Sequence, residues 1–225
     1  MFDSSVDLRN IEVKQRVAGF YVEAHPIVRS CVRRLIFLAR HGSHAELGHI
    51  LSGRSDIALN PAGRAEAERL ARRLADTPLA AIHTSPRRRT RETADIVAQR
   101  HGVAVTPVDA LDEIDFGRWS GRRFAELDAD ADWFRWNSER ASAATPAGDT
   151  MAAATGRAVD HIEGVDEAGP VLLVSHCDVI RGVAAHYLGI SADRLLSFAC
   201  DPGSLTILAR EAGQTKVMTL NECPQ

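Results

Sequence analysis

Residues 171–182 read VLLVSHCDVIRG. Four apolar residues stop at Ser175-His176-Cys177, and the stretch from Asp178 to Leu188, followed by Gly189, has the spacing and the terminal glycine of a helix. A short run that is apolar at every position suits a strand buried on both faces, which requires helices on both sides of a sheet. The same pattern recurs upstream. Leu35 to Ala39 is a second apolar run, broken at Arg40-His41-Gly42. Asn60-Pro61 supplies an N-cap and a first-turn proline, and Ala67, Leu70, Ala71 and Leu74 follow at helical spacing. Ala80-Ala81-Ile82 is a short strand, and Ser85-Pro86 opens a helix running to Gly102. Val103 to Val108, a helix near 149–163, and the strands Leu205 to Ala209 and Lys216 to Leu220 complete the alternation.

Strands alternating with helices predict an α/β fold, a three-layer sandwich with a mostly parallel central sheet flanked by helices. It occupies residues 33–225. Residues 1–32 have no clean period and read as an N-terminal extension whose role is not legible. Residues 111–147 are irregular and rich in aromatics, with Trp119, Trp133, Trp136, Phe116, Phe124 and Phe134 among them. They read as a cap over the site, its rings either packing a small core of their own or offering an apolar face to a substrate.

The chain has 225 residues, 45% hydrophobic and 25% charged, enough for one domain with a sizeable core. A net charge of -3 gives no electrostatic footprint for nucleic acid. No apolar run approaches the length of a membrane span, and the N-terminus lacks the apolar stretch of a secretory signal, so a soluble, cytoplasmic protein without a membrane partner is expected. The four cysteines, Cys31, Cys177, Cys200 and Cys223, are widely spaced and suggest neither a disulfide framework nor a zinc site.

In folds of this class, ligands sit beyond the carboxyl ends of the strands. Arginines and histidines collect there: Arg40, His41 and His44 after one strand, Arg87, Arg88, Arg89 and Arg91 after another, and His176 after a third. Arginines in the first turn of a helix oppose its dipole unless an anion binds, so a phosphate-like guest is expected, with one arginine turned inward and Arg87, Arg88 and Arg91 reaching into water. His41, His44 and His49 fall within nine residues. A metal site could be imagined there, but one flexible loop without carboxylate or thiolate partners is poorly preorganised, and the expectation is no metal and no cofactor. His44 then lines the phosphate pocket or its rim.

Cys177 with Arg181 suggests at first a cysteine phosphatase. Arg181 follows Cys177 by only four positions, too short a span for a loop of amides to wrap a phosphate, so Cys177 is expected to be a small residue at a helix start.

Five blocks in this order, Arg40-His41-Gly42, LNPAGRAEA, SPRRRTRETA, LDEIDFGRWSG and VSHCDVIRG, resemble the histidine phosphatase superfamily, also called phosphoglycerate-mutase-like. The resemblance covers residues 34 to 210 and implies a phosphoglycerate-mutase-like fold. It implies that His41 is the nucleophile and carries a phosphohistidine, that Arg40, Arg89 and His176 clamp the phosphate oxygens, and that Glu113 protonates the leaving oxygen. Ser52 and Gly53 fall where the family lines its substrate entrance. Among Asp112, Glu113 and Asp115, the motif rather than any physical argument selects Glu113.

A neutral imidazole, two guanidiniums and a second histidine can transfer a phosphoryl group without metal. The function expected is therefore metal-independent hydrolysis of a small phosphorylated metabolite. Two alternatives stand beside it: a phosphoglycerate-mutase-type phosphotransfer, and a non-catalytic module that binds phosphorylated ligands. The family's usual Trp-Asn after Arg-His-Gly is missing from Ser43-His44-Ala45-Glu46, which argues against the mutase. The substrate and the oligomeric state are left open.

Overall fold

The computed structural model describes residues 33–225; the expected extension, residues 1–32, lies outside the described residues. The elements in chain order are β1 (Arg34–Arg40), α1 (Pro61–Arg73), β2 (Ala81–Thr84), α2 (Arg88–His101), β3 (Val105–Pro107), α3 (Phe124–Leu127) and α4 (Ala131–Ser138). They continue with α5 (Met151–Gly164), β4 (Val171–Ser175), α6 (Cys177–Leu188), β5 (Leu205–Glu211) and β6 (Gln214–Glu222). The strands form one sheet in the order β3-β2-β4-β1-β5-β6. Strand β4 lies inside it and is buried along its whole length, as an unbroken apolar run requires.

Side chains alternate across the sheet with period two. Ile36, Leu38, Val171, Leu173 and Leu208 pack with Ala158, Ile162, Val179 and Val183 from α5 and α6. Phe37, Ala39, Leu172, Val174 and Ile82 pack on the other face with Leu70, Ala71, Ala94 and Val97 from α1 and α2. The expected three layers are present, with helices on both faces of the sheet.

The sheet is mixed rather than mostly parallel. β3, β2, β4 and β1 run parallel, whereas β5 is antiparallel to both β1 and β6. Two connections decide this. Residues 189–204 bring the chain back to the end of β1, so that Leu205 enters opposite Ala39 and β5 runs the other way. Ala212 and Gly213 then form a two-residue turn with φ of 51° and 77°, which closes an antiparallel hairpin.

Helix ends follow their local signals, with one exception. The Asn60 side chain accepts a hydrogen bond from the Gly63 amide at 2.8 Å, and Gly102 and Gly189 terminate α2 and α6 in the left-handed region. Helix α2, however, begins at Arg88 and not at Ser85-Pro86; the Ser85 hydroxyl accepts from the Arg87 amide at 3.3 Å and also meets Asp112 and His176.

The segment 111–147, expected as a cap, packs into a core with neighbouring elements. Trp119 and Trp136 are fully buried with Leu51, Ile114, Phe116, Leu127, Met151 and Leu195. These two indoles pack the segment together and present no face to a ligand. Among the described residues, no helix is long and apolar enough to cross a membrane.

Candidate active site

The sheet register brings the site together. Arg40 pairs with Ser175 across β1 and β4, and the His41 amide donates to the Ser175 carbonyl at 3.1 Å. The next residue on each chain is therefore a histidine at the same level, and the His41 and His176 ring centroids are 5.2 Å apart. On the other side of β4, the Ser85 amide donates to Val174. Ser85 thus stands beside His176, 91 residues away in sequence, with its Oγ 2.8 Å from Nε2.

Close backbone approach holds the His41 loop. A Cβ on Gly42 would come within 2.3 Å of the Gly63 carbonyl oxygen, and one on Gly63 within 2.0 Å of the Ser43 oxygen. The first turn of α1 can reach the loop only because both residues lack side chains. Glu66 from α1 then accepts from the Ser43 amide and hydroxyl, at 2.6 and 2.9 Å, and the Gly42 amide donates to Thr93 Oγ1 on α2 at 3.1 Å.

Arg89 is the arginine that turns inward, and it is 2% exposed. Its Nε lies 3.2 Å from His41 Nε2, and Nη2 lies 3.0 Å from His176 Nδ1. Its guanidinium is held by the carbonyls of Ser55 at 2.9 Å and Gly53 at 2.5 Å. A guanidinium only donates, so the two nitrogens facing it must be unprotonated. His41 then carries its proton on Nδ1, which donates to the Gly42 carbonyl at 2.8 Å. His176 carries its proton on Nε2, which donates to Ser85. Burial first, then the neighbouring Arg89, pushes both histidines well below the usual imidazole range.

Of the three candidate acids, the structure sets Glu113 apart. Asp115 accepts from the Gly117 amide and faces Arg54. Asp112 accepts from both ends of the Arg87 guanidinium at 2.9 and 2.8 Å, from Ser85 Oγ at 3.1 Å, and from the Glu113 amide at 2.8 Å. Glu113 is buried, with Oε2 3.9 Å from His176 Nδ1, and its pKa is raised to about 8 by burial and then by the charge of Asp178. Burial thus biases its carboxyl toward the protonated form beside His176.

The other expected site residues fall as follows. Arg40 donates through Nη1 to the Cys200 carbonyl at 2.6 Å, while its buried Nε–H has no partner. His44 is buried, its ring 5.4 Å from that of His41, and its pKa is lowered to about 4 by burial and by Arg89 and Arg40. Its Nδ1 is also without a partner. Gly53 joins the cluster through its carbonyl, whereas the Ser52 hydroxyl donates to Glu46 at 2.8 Å and does not reach the cluster. His49 is exposed and apart. Among the described residues, no three His, Cys, Asp or Glu side chains converge as metal ligands would.

Arg87 corrects the expectation that it reaches into water, because the fold brings the Asp112 carboxylate against it. Arg88 and Arg91 do face solvent, Arg88 pairing with Glu92 on its own helix. Sequence reasoning missed two further arginines. Arg157 of α5 donates to the carbonyls of Ala110, Asp112 and Glu113, and Arg54 donates from the opposite side to the Glu113 carbonyl at 2.9 Å. Together they fix the turn that carries Glu113. Neither has a local signal, since both act on backbone oxygens more than forty residues away.

The chain is similar to known proteins in sequence and in fold. The family model "Histidine phosphatase superfamily (branch 1)" matches residues 36–223. Phosphoserine phosphatase 1 of Hydrogenobacter thermophilus is 29% identical over 174 residues, covering 75% of this chain and 82% of the relative. Glucosyl-3-phosphoglycerate phosphatase of Mycobacterium tuberculosis is 31% identical over 170 residues, covering 69% and 75%. The solved structure of Bacillus stearothermophilus YhfR superposes with a TM-score of 0.80 at 27% identity, over 84% of this chain and 97% of that one.

Proposed function

The chain belongs to the histidine phosphatase superfamily, and from that premise we propose that it hydrolyses the phosphomonoester of a small metabolite through a phosphohistidine at His41, without metal, in the cytoplasm. The observation that carries the reading is the fixed tautomer of His41. Its proton is committed to Gly42, and its Nε2 lone pair faces the space shared by Arg89 and His176.

In the first step, His41 Nε2 attacks phosphorus as the ester P–O bond breaks, and Glu113 gives its proton to the departing oxygen. Arg89 leaves Nε2 and turns that N–H to a phosphate oxygen. Arg40, whose Nε–H is orphaned, takes another, and His176 and His44 border the same space. In the second step, water attacks the phosphohistidine, Glu113 takes the water proton, and the Nε2 lone pair is restored. The Nδ1 proton never leaves Gly42, so His41 needs no base. The charge of the transferring group is met by fixed guanidiniums in a buried site, where such interactions are strongest. Both curated relatives compared above are phosphatases by name, which favours water over a second substrate hydroxyl as the acceptor.

A panel of phosphorylated metabolites and p-nitrophenyl phosphate, assayed with and without chelator, tests this. Phosphate release unaffected by chelator is expected, abolished in His41→Ala and reduced by about 10²- to 10³-fold in His176→Ala. Isomerisation without phosphate release would make the protein a mutase, and binding without turnover would make it a phospholigand-binding module. Loss of activity in chelator would overturn the metal-free mechanism.

A further inference from the structure

Cys177 is the first residue of α6, directly after His176, and it is partly exposed. Its thiol points at the backbone carbonyl of Cys200, 3.7 Å away. That carbonyl also accepts from Arg40 Nη1 at 2.6 Å. The side chain of Cys200 is buried in the core cluster against which Cys177 packs. Both are free thiols. Two cysteines thus meet at the backbone group that positions one arginine of the site.

We propose that Cys177 and Cys200 form a peroxide-operated switch: a hydroperoxide oxidises Cys177, Cys200 closes a disulfide with it, and the carbonyl holding Arg40 is displaced. The Cys177 thiolate attacks the peroxide, the O–O bond breaks, the sulfur loses two electrons as sulfenic acid forms, and hydroxide leaves. The sulfur of Cys200 then attacks the sulfenic sulfur. An S–S bond forms, and the sulfenic oxygen departs as water with the Cys200 proton.

The surroundings suit each step. The Cys200 side chain is the main influence lowering the Cys177 pKa to about 7; Arg40 and Arg181 add to it, while burial and Asp178 oppose it. A large thiolate fraction is therefore present at neutral pH. The neighbouring Cys177 and burial hold the Cys200 thiol well above the usual thiol range.

The consequence for the site follows from geometry. A disulfide needs its sulfurs about 2.05 Å apart, with Cβ atoms near 3.8 Å. In the reduced structure Cys177 faces the oxygen of Cys200, so bond formation must turn Cys200 and move that oxygen off Arg40. This last step rests on the reading of Arg40 as a phosphate clamp; the disulfide does not.

The experiment treats the full chain with hydrogen peroxide and reads two things separately: the disulfide, by mass spectrometry of peptides, and turnover of p-nitrophenyl phosphate. A Cys177–Cys200 bond with loss of most activity, both reversed by dithiothreitol, is expected. Cys177→Ser should keep the basal activity and resist peroxide, and Cys200→Ser, which cannot close the bond, should show no dithiothreitol-reversible loss of activity. A bond from Cys177 to Cys31 or Cys223, no bond, or equal sensitivity of Cys177→Ser would overturn the proposal. A Cys177–Cys200 bond that leaves turnover unchanged would overturn the switch. An inactive reduced protein that still forms the bond would instead count against the proposed phosphatase function.

Discussion

At the scale of single residues, protonation decides the chemistry. Glu113 must be protonated to give up a proton and is so below about pH 8, while His41 must be neutral and stays so well below pH 6.5. The kcat/KM profile should therefore be flat through neutral pH and fall above about pH 8. Glu113 is faced by Arg89, His176, Cys177 and Asp178, and of these Asp178 does most to raise its pKa. Asp178→Asn keeps an acceptor for Arg140 but removes the charge, so the alkaline limb should move to lower pH; an unmoved limb would remove Asp178 from this role. His176 makes a second prediction. Its Nδ1 has no proton in the free site, and a bound oxyanion in the place of Arg89 requires one. Sulfate binding at pH 7.5 should take up about one proton, seen as a buffer-dependent calorimetric enthalpy. The same enthalpy in two buffers would mean that His176 stays neutral.

At the scale of elements, the cap and helix α6 are joined by one buried ion pair. Arg140, just past α4, donates to Asp178 Oδ2 at 2.9 Å and to Asn137 Oδ1 at 2.8 Å, and its guanidinium lies 5.4 Å from the Trp136 ring centroid. Its side chain is 5% exposed and that of Asp178 is 15% exposed. Removing one partner of such a pair strands the other charge in a poorly solvated place. Arg140→Ala should lower stability by about 3 kcal/mol, read as the urea midpoint. An unchanged midpoint would mean that the cap is held by its aromatic core alone. The sequence marked this segment by its aromatics but gave no sign of the pair, whose partners are 38 residues apart.

At the scale of the molecule, the site is costly to keep in acid. His41 and His176 have folded pKa values depressed far below the value near 6.5 of an unfolded chain, so the unfolded state binds more protons below that pH. Stability is intact above about pH 6.5 and is lost as the pH falls, approaching about 3 kcal/mol per pH unit for two protons. Urea midpoints at pH 7.5 and 5.5 should show the drop, and a His41→Asn, His176→Asn double variant should flatten it. A drop of the same size in the double variant would place its origin elsewhere in the molecule.

The sequence alone determined what depends on neighbours in the chain. Apolar runs became buried strands, Asn60-Pro61 and Gly189 bounded helices, and the residues just past β1, β2 and β4 supplied the site, because strand ends and helix caps are set over a few residues. Only the tertiary structure decided the rest. The resemblance had named Arg89 and Glu113, but it is the fold that surrounds Arg89 with His41 and His176, gives Arg87 to Asp112, raises the Glu113 pKa by burial, and sets β5 and β6 antiparallel. Each of these depends on a carbonyl, a carboxylate or a strand that arrives from elsewhere in the chain. Local periodicity cannot encode that choice, since hydrogen bonding and desolvation act through space and not along the sequence.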